Sequence, residues 1–104
     1  MTTYKVRLPL KRPPTHPGEL MREVLEEHVK LPISVAARRM KVARQSLYAV
    51  LDGKGAITAD MALRFTRLTG GTPELLLRMQ DNYDLWRAQT RLKDTLAEIE
   101  PAAS

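Results

Sequence analysis

The chain has no cysteine, so neither a disulfide framework nor a thiolate metal site is open to it. No apolar run approaches the roughly 18 residues needed to span a bilayer. The N-terminal stretch MTTYKVRLPLKRPPTHP is basic but lacks the apolar core of an export signal, so the expected location is the cytoplasm, with no membrane partner. No internal repeat or low-complexity segment is apparent, and no short stretch of the body alternates with period two, which argues against a sheet-based core. The two histidines, His16 and His28, have no acid ligands at suitable spacing, so capping or surface roles are expected of them and no metal or cofactor is implied. Aromatic residues make up only 5%, yet 43% hydrophobic and 28% charged residues mark a globular chain, not a disordered one. At 104 residues there is room for one domain with a modest core, which excludes a two-domain enzyme.

The net charge of +5 is unevenly spread. Residues 1–14 carry Lys5, Arg7, Lys11 and Arg12 and no acid, whereas residues 15–28 carry Arg22 against Glu19, Glu23, Glu26 and Glu27. Residues 29–56 then hold Lys30, Arg38, Arg39, Lys41, Arg44 and Lys54 against Asp52 alone, while residues 57–104 are near neutral. A positive middle segment suits a polyanion, because bases that neutralise phosphates release condensed counterions. Charge alone favours a solvated basic surface over a polyanion-binding face, and spacing has to decide.

Prolines 9, 13, 14 and 17 keep residues 1–15 from being helical, which gives an extended basic arm with room for a short strand at Tyr4–Leu8. A first helix begins near His16 and Pro17, runs to about His28, and sets Leu20, Met21, Val24 and Leu25 opposite an acidic stripe. After Pro32, residues Ile33, Ala36, Ala37 and Met40 form one helical face over 33–40. A third pattern over 44–52 has Leu47, Val50 and Leu51 apolar and stops at Asp52-Gly53. Thr58 caps a fourth helix with Met61, Ala62, Phe65 and Leu68 inward, ended by Gly70-Gly71. Thr72-Pro73-Glu74 opens a fifth with Leu75, Leu76, Met79, Tyr83 and Trp86 along one side, which Leu92, Leu96 and Ile99 extend before Pro101. The expected architecture is all-α with five helices: an arm at 1–15, a domain at 16–86, and a helical extension or tail at 87–104.

The short helices at 33–40 and 44–52, joined by about three residues, have the dimensions of a helix-turn-helix. Ala37 is small enough for the crossing, and Met40, Leu47 and Val50 wedge the pair apart. The exposed face of the second helix would then present Arg44, Gln45, Tyr48 and Ala49 to base edges in a major groove about 12 Å wide. Arginine donates two hydrogen bonds to guanine, glutamine pairs bidentately with adenine, and an alanine methyl packs on thymine. Ser46, Lys54 and Arg39 are expected on the phosphate backbone, where they set position without reading sequence. Each has the alternative of an ordinary solvated side chain, and Tyr48 divides between core and phosphate. Few elements are left to cover both sides of the fifth helix, so Leu75, Met79, Tyr83 and Trp86 are expected in a homodimer interface. Two-fold symmetry would set two recognition helices about 34 Å apart on a pseudo-palindromic site in double-stranded DNA.

Three separated motifs, HPGE at 16–19, VARQSLYAVLDGKGAIT at 42–58 and TPELLLRMQDNYDLW at 72–86, resemble the HigA antitoxins. These are VapI-like proteins of the Xre, or lambda-repressor-like, helix-turn-helix class. The resemblance implies a cytoplasmic, dimeric DNA-binding antitoxin that represses its own operon and neutralises a RelE-like ribonuclease toxin of the HigB type. Glu19 and Glu23 then complement a basic toxin or are merely solvated, and the arm tracks a minor groove, contacts the toxin or stays disordered. Two residues depart from the pattern. Lys41 stands where a left-handed glycine is common, which suggests a differently shaped turn, and Asp52 stands where asparagine is frequent, close to where a phosphate would repel it. The rivals are an Xre-type regulator without a toxin partner, a helical adaptor, and a small basic nuclease. The last would need a sheet and convergent catalytic groups that this sequence lacks, so no enzyme is expected.

Overall fold

In the computed structural model, residues 13–103 are described; most of the expected arm, including the segment Tyr4–Leu8, lies outside them. The order is α1 (Pro17–Glu23), prolonged by a π-helical turn (Val24–His28), then α2 (Ile33–Met40), α3 (Arg44–Leu51), α4 (Ala59–Thr69), α5 (Pro73–Arg91) and α6 (Lys93–Ala97). The all-helical expectation holds, with six helices among the described residues instead of five. Leu92 at φ −96°, ψ 10° separates α5 from α6, so the apolar positions 92, 96 and 99 do not prolong one helix.

The α1 terminus shows how local chemistry seats an element. His16 is extended, and its Nδ1 accepts the N–H of Gly18 at 2.9 Å, while Pro17 occupies the first helical position, where a missing N–H costs nothing. Both His16 and Pro17 are buried, because the helix begins inside the molecule against the end of α3. A β-carbon on Gly18 would lie 2.0 Å from the carbonyl oxygen of Val50, so only glycine permits this crossing.

The core gathers Met21 and Leu25 of α1, Ala36, Ala37 and Met40 of α2, and Leu47, Val50 and Leu51 of α3. Ile57, Met61, Ala62, Phe65 and Leu76 complete it. The small Ala36 and Ala37 lie where α2 meets its neighbours, and Leu47 is sealed completely. Of the fifth helix's apolar series only Leu76 reaches this core; Met79, Tyr83 and Trp86 are half-buried and Leu75 is 46% exposed. Gln80, absent from the expected core, is buried to 5% exposure.

Candidate nucleic-acid interface

The turn between α2 and α3 spans three residues, and Lys41 in it is left-handed (φ 61°, ψ 44°). The expectation of a differently shaped turn is therefore corrected: lysine adopts the geometry that glycine would take more easily. Its N–H donates to Arg38, and that of Val42 to Ala37, which closes the α2 carbonyls in the manner of a Schellman end. Arg64 of α4 completes the closure, its Nη1 donating to the carbonyls of Met40 at 2.8 Å and Lys41 at 3.1 Å while its Nε pairs with Asp60.

With α2 fixed, the orientation of α3 follows from its apolar positions. Leu47, Val50 and Leu51 face inward, and at 100° per residue Gln45 and Ala49 fall on the line diametrically opposite, with Arg44 and Tyr48 to one side and Ser46 to the other. Arg44, Gln45 and Ser46 are exposed, and Tyr48 is 40% exposed. Ala49 is half-covered, because Gly55 of the following loop comes close to its methyl group. The N-terminus of α3 has no side-chain cap and no acid in its first turn, which leaves its amide donors and positive dipole end turned toward solvent.

Ser46 and Ala49 line a shallow concavity of about 450 Å³ bounded by the Lys41–Ala43 turn, the Gly55–Thr58 loop and the start of α4. Lys54 is exposed in the loop directly after α3, next in sequence to Gly55, and is not itself part of the concavity's lining. Arg39 is not brought to it; it lines a separate cleft with Arg64 and Arg67 between α2 and α4. Among the described residues, none of Arg39, Arg44 and Lys54 takes part in an ion pair. Asp52, the one acid of the basic segment, is held by Arg22 of α1 at 2.6 Å, which offsets the repulsion expected of its carboxylate toward phosphate.

Four supporting residues escaped the sequence reading as site components. Gly18, Arg22, Arg64 and Gln80 each act on the helix-turn-helix from another element, a distance in sequence over which no periodic signal runs. Gln80 is the clearest: its Oε1 accepts the N–H of Ile57 at 2.8 Å and its Nε2 donates to Asp84 at 2.9 Å. His16, expected to cap or lie on the surface, does the former while buried edge-on against Tyr83, with ring centroids 4.9 Å apart. Burial holds its pKa below the ordinary imidazole value, against the Gly55 backbone, Asp84 and Glu19, which favour the charged form; Arg87 adds to the lowering. The remaining candidates are on the periphery: Glu19 and Glu23 are exposed on α1, and Glu23 lies 3.8 Å from His28.

Among the described residues no helix is long and apolar enough to cross a membrane. No family model matches the chain. A helix-turn-helix-type transcriptional regulator of Haemophilus influenzae is 32% identical over 95 residues, which is 89% of this chain and 89% of that protein. An addiction module antidote protein of a HigA family from Coxiella burnetii superposes with a TM-score of 0.77 at 33% identity, over 86% of this chain and 99% of the other. The Pseudomonas aeruginosa antitoxin HigA, solved with the higBA promoter, gives 0.78 at 27% identity, over 86% and 99%. These likenesses run through the same α2–α3 pair and nearly the full length of each partner, and the chain belongs to the HigA-like family of Xre-type helix-turn-helix proteins.

Proposed function

We propose that the chain is a cytoplasmic DNA-binding antitoxin that represses its own operon and neutralises a RelE-like ribonuclease toxin of the HigB type. The observation that carries the DNA-binding half is the first turn of α3, uncapped, with Gln45 facing outward and Arg44 exposed beside it. Arg44, Gln45, Tyr48 and Ala49 read base edges, Ser46 and Lys54 contact the backbone beside α3, and Arg39 contacts it separately, from the cleft between α2 and α4. The antitoxin half is supported by the likeness to HigA proteins, one of them solved with promoter DNA. Protein–DNA positioning of this kind needs no reaction chemistry, and the chain acts as a binding protein rather than an enzyme.

Leu75, Met79, Tyr83 and Trp86 form the interface of a homodimer, supported by their incomplete cover: Leu76 and Gln80 fill the inner side of the helix, and Tyr83, though it packs against His16, stays only half-buried. Glu19 and Glu23 offer a negative surface to a basic toxin. A regulator acting without a toxin is the second reading, favoured by the Haemophilus influenzae relative. A short reading frame for a basic ribonuclease beside the gene, and co-purification of its product with this chain, separate the two.

The direct test is a mobility-shift and footprinting experiment on the chain's own promoter at two salt concentrations. Arg44→Ala is expected to cost about 1–3 kcal/mol on the specific site and relax one base preference, and Lys54→Ala to weaken all duplexes alike. Equal losses on specific and random duplexes for both variants would overturn these role assignments.

A further inference from the structure

Two buried polar side chains, His16 and Gln80, lie behind the DNA-facing residues and do not share their exposed surface, and both touch the loop that carries Lys54. The near end of that loop hangs from α3: Gly53 N–H donates to Val50 at 3.0 Å, and those of Lys54 and Gly55 to Ala49 at 2.9 Å each. Its far end is held from α5, where Gln80 accepts the Ile57 N–H and Asp84 fixes the orientation of the glutamine amide. Three residues further along α5, on the same side of the helix, Tyr83 packs against the His16 ring. That ring in turn lies under Gly53, 3.8 Å from where a β-carbon would stand. The helix thus holds the far end directly and backs the near end through His16, around a loop whose lysine sits between two glycines and has little backbone stiffness of its own.

We infer that Gln80, together with Tyr83 acting through His16, is a positioning residue for a contact between Lys54 and the phosphate backbone of duplex DNA. The inference rests on the DNA-binding reading above. Without Gln80, the buried Ile57 N–H has no acceptor, the loop shifts to find one in water, and the ammonium of Lys54 no longer waits at a fixed point beside α3. Side chains that never meet the nucleic acid would then govern one phosphate contact.

The test measures affinity of the full chain for promoter and random duplexes by fluorescence anisotropy between about 50 and 200 mM salt, where each lost phosphate contact lowers the slope of log K against log salt by about 0.9. Lys54→Ala is expected to lower its magnitude by that amount for each protomer bound, about 1.8 for a homodimer. Gln80→Met is expected to do the same with helical content unchanged, and the double variant to go no lower, since both remove the same contact in each protomer. Gln80→Asn, whose amide is one methylene too short for Ile57, takes its place if the methionine variant does not fold. A wild-type slope in the Gln80 variant, or a double loss in the combined one, overturns the inference while leaving the DNA-binding reading intact. Absence of any salt-sensitive binding by the wild-type chain overturns both.

Discussion

Val50 presents its carbonyl oxygen to Gly18 so closely that an added β-carbon would lie 2.0 Å from it. Glycine inside a helix ordinarily costs about 1 kcal/mol relative to alanine. Here the sign reverses: Gly18→Ala pushes α1 off the end of α3 and is expected to lose about 1–3 kcal/mol, as overpacked cores do. Thermal denaturation followed by circular dichroism checks this, and a variant as stable as wild type would contradict the close crossing.

Lys41 holds left-handed dihedrals at the α2–α3 turn. A residue with a side chain costs about 1–2 kcal/mol there, and glycine returns about 0.5–1 of it through chain entropy in the unfolded state. Lys41→Gly is therefore expected to stabilise the fold by about 0.5–1 kcal/mol, and Lys41→Val to destabilise it. Chemical denaturation midpoints of the two variants should fall on opposite sides of wild type.

His16 is buried as a neutral acceptor, with its pKa held below the ordinary value of 6.5. The unfolded chain therefore binds the extra proton first as pH falls. Stability from this group is complete above 6.5, declines as pH drops through the lowered native pKa, and levels off beneath it, with a slope of at most about 1.4 kcal/mol per pH unit. His16→Asn keeps a capping oxygen without the titration. Denaturant titrations across this range should show a smaller dependence on pH in that variant.

Asp52 and Arg22 form an ion pair whose side chains are 44% and 34% exposed. Such a pair contributes about 0–1 kcal/mol, so Asp52→Asn is expected to leave stability nearly unchanged. With one negative charge removed next to α3 and Arg22 released, affinity for any duplex should rise a few-fold at low salt, and the gain should shrink as salt is added. An undiminished gain at high salt would point to a new specific contact.

The helix-turn-helix could be read from the chain because its wedge is local. Ala36, Ala37, Met40, Leu47 and Val50 fall at helical spacing within one short stretch, and burial follows that spacing. The shape of the turn was not readable, since what supports the left-handed Lys41 includes an arginine 23 residues onward hydrogen-bonding to main-chain oxygens, which impose no pattern on side chains. Gln80 was hidden for the same reason: its partner is the backbone of Ile57, and among apolar neighbours a glutamine reads as an outward position. The break at Leu92 carries neither proline nor glycine, so the apolar spacing ran on through it.

The capping of Met40 and Lys41 by Arg64 also bears on engineering. Anyone grafting residues 33–52 onto a foreign scaffold to transplant the recognition surface would leave the clasp behind. The host would have to bring its own cation to the end of the first rod, or the transplanted bend would relax and misaim the second.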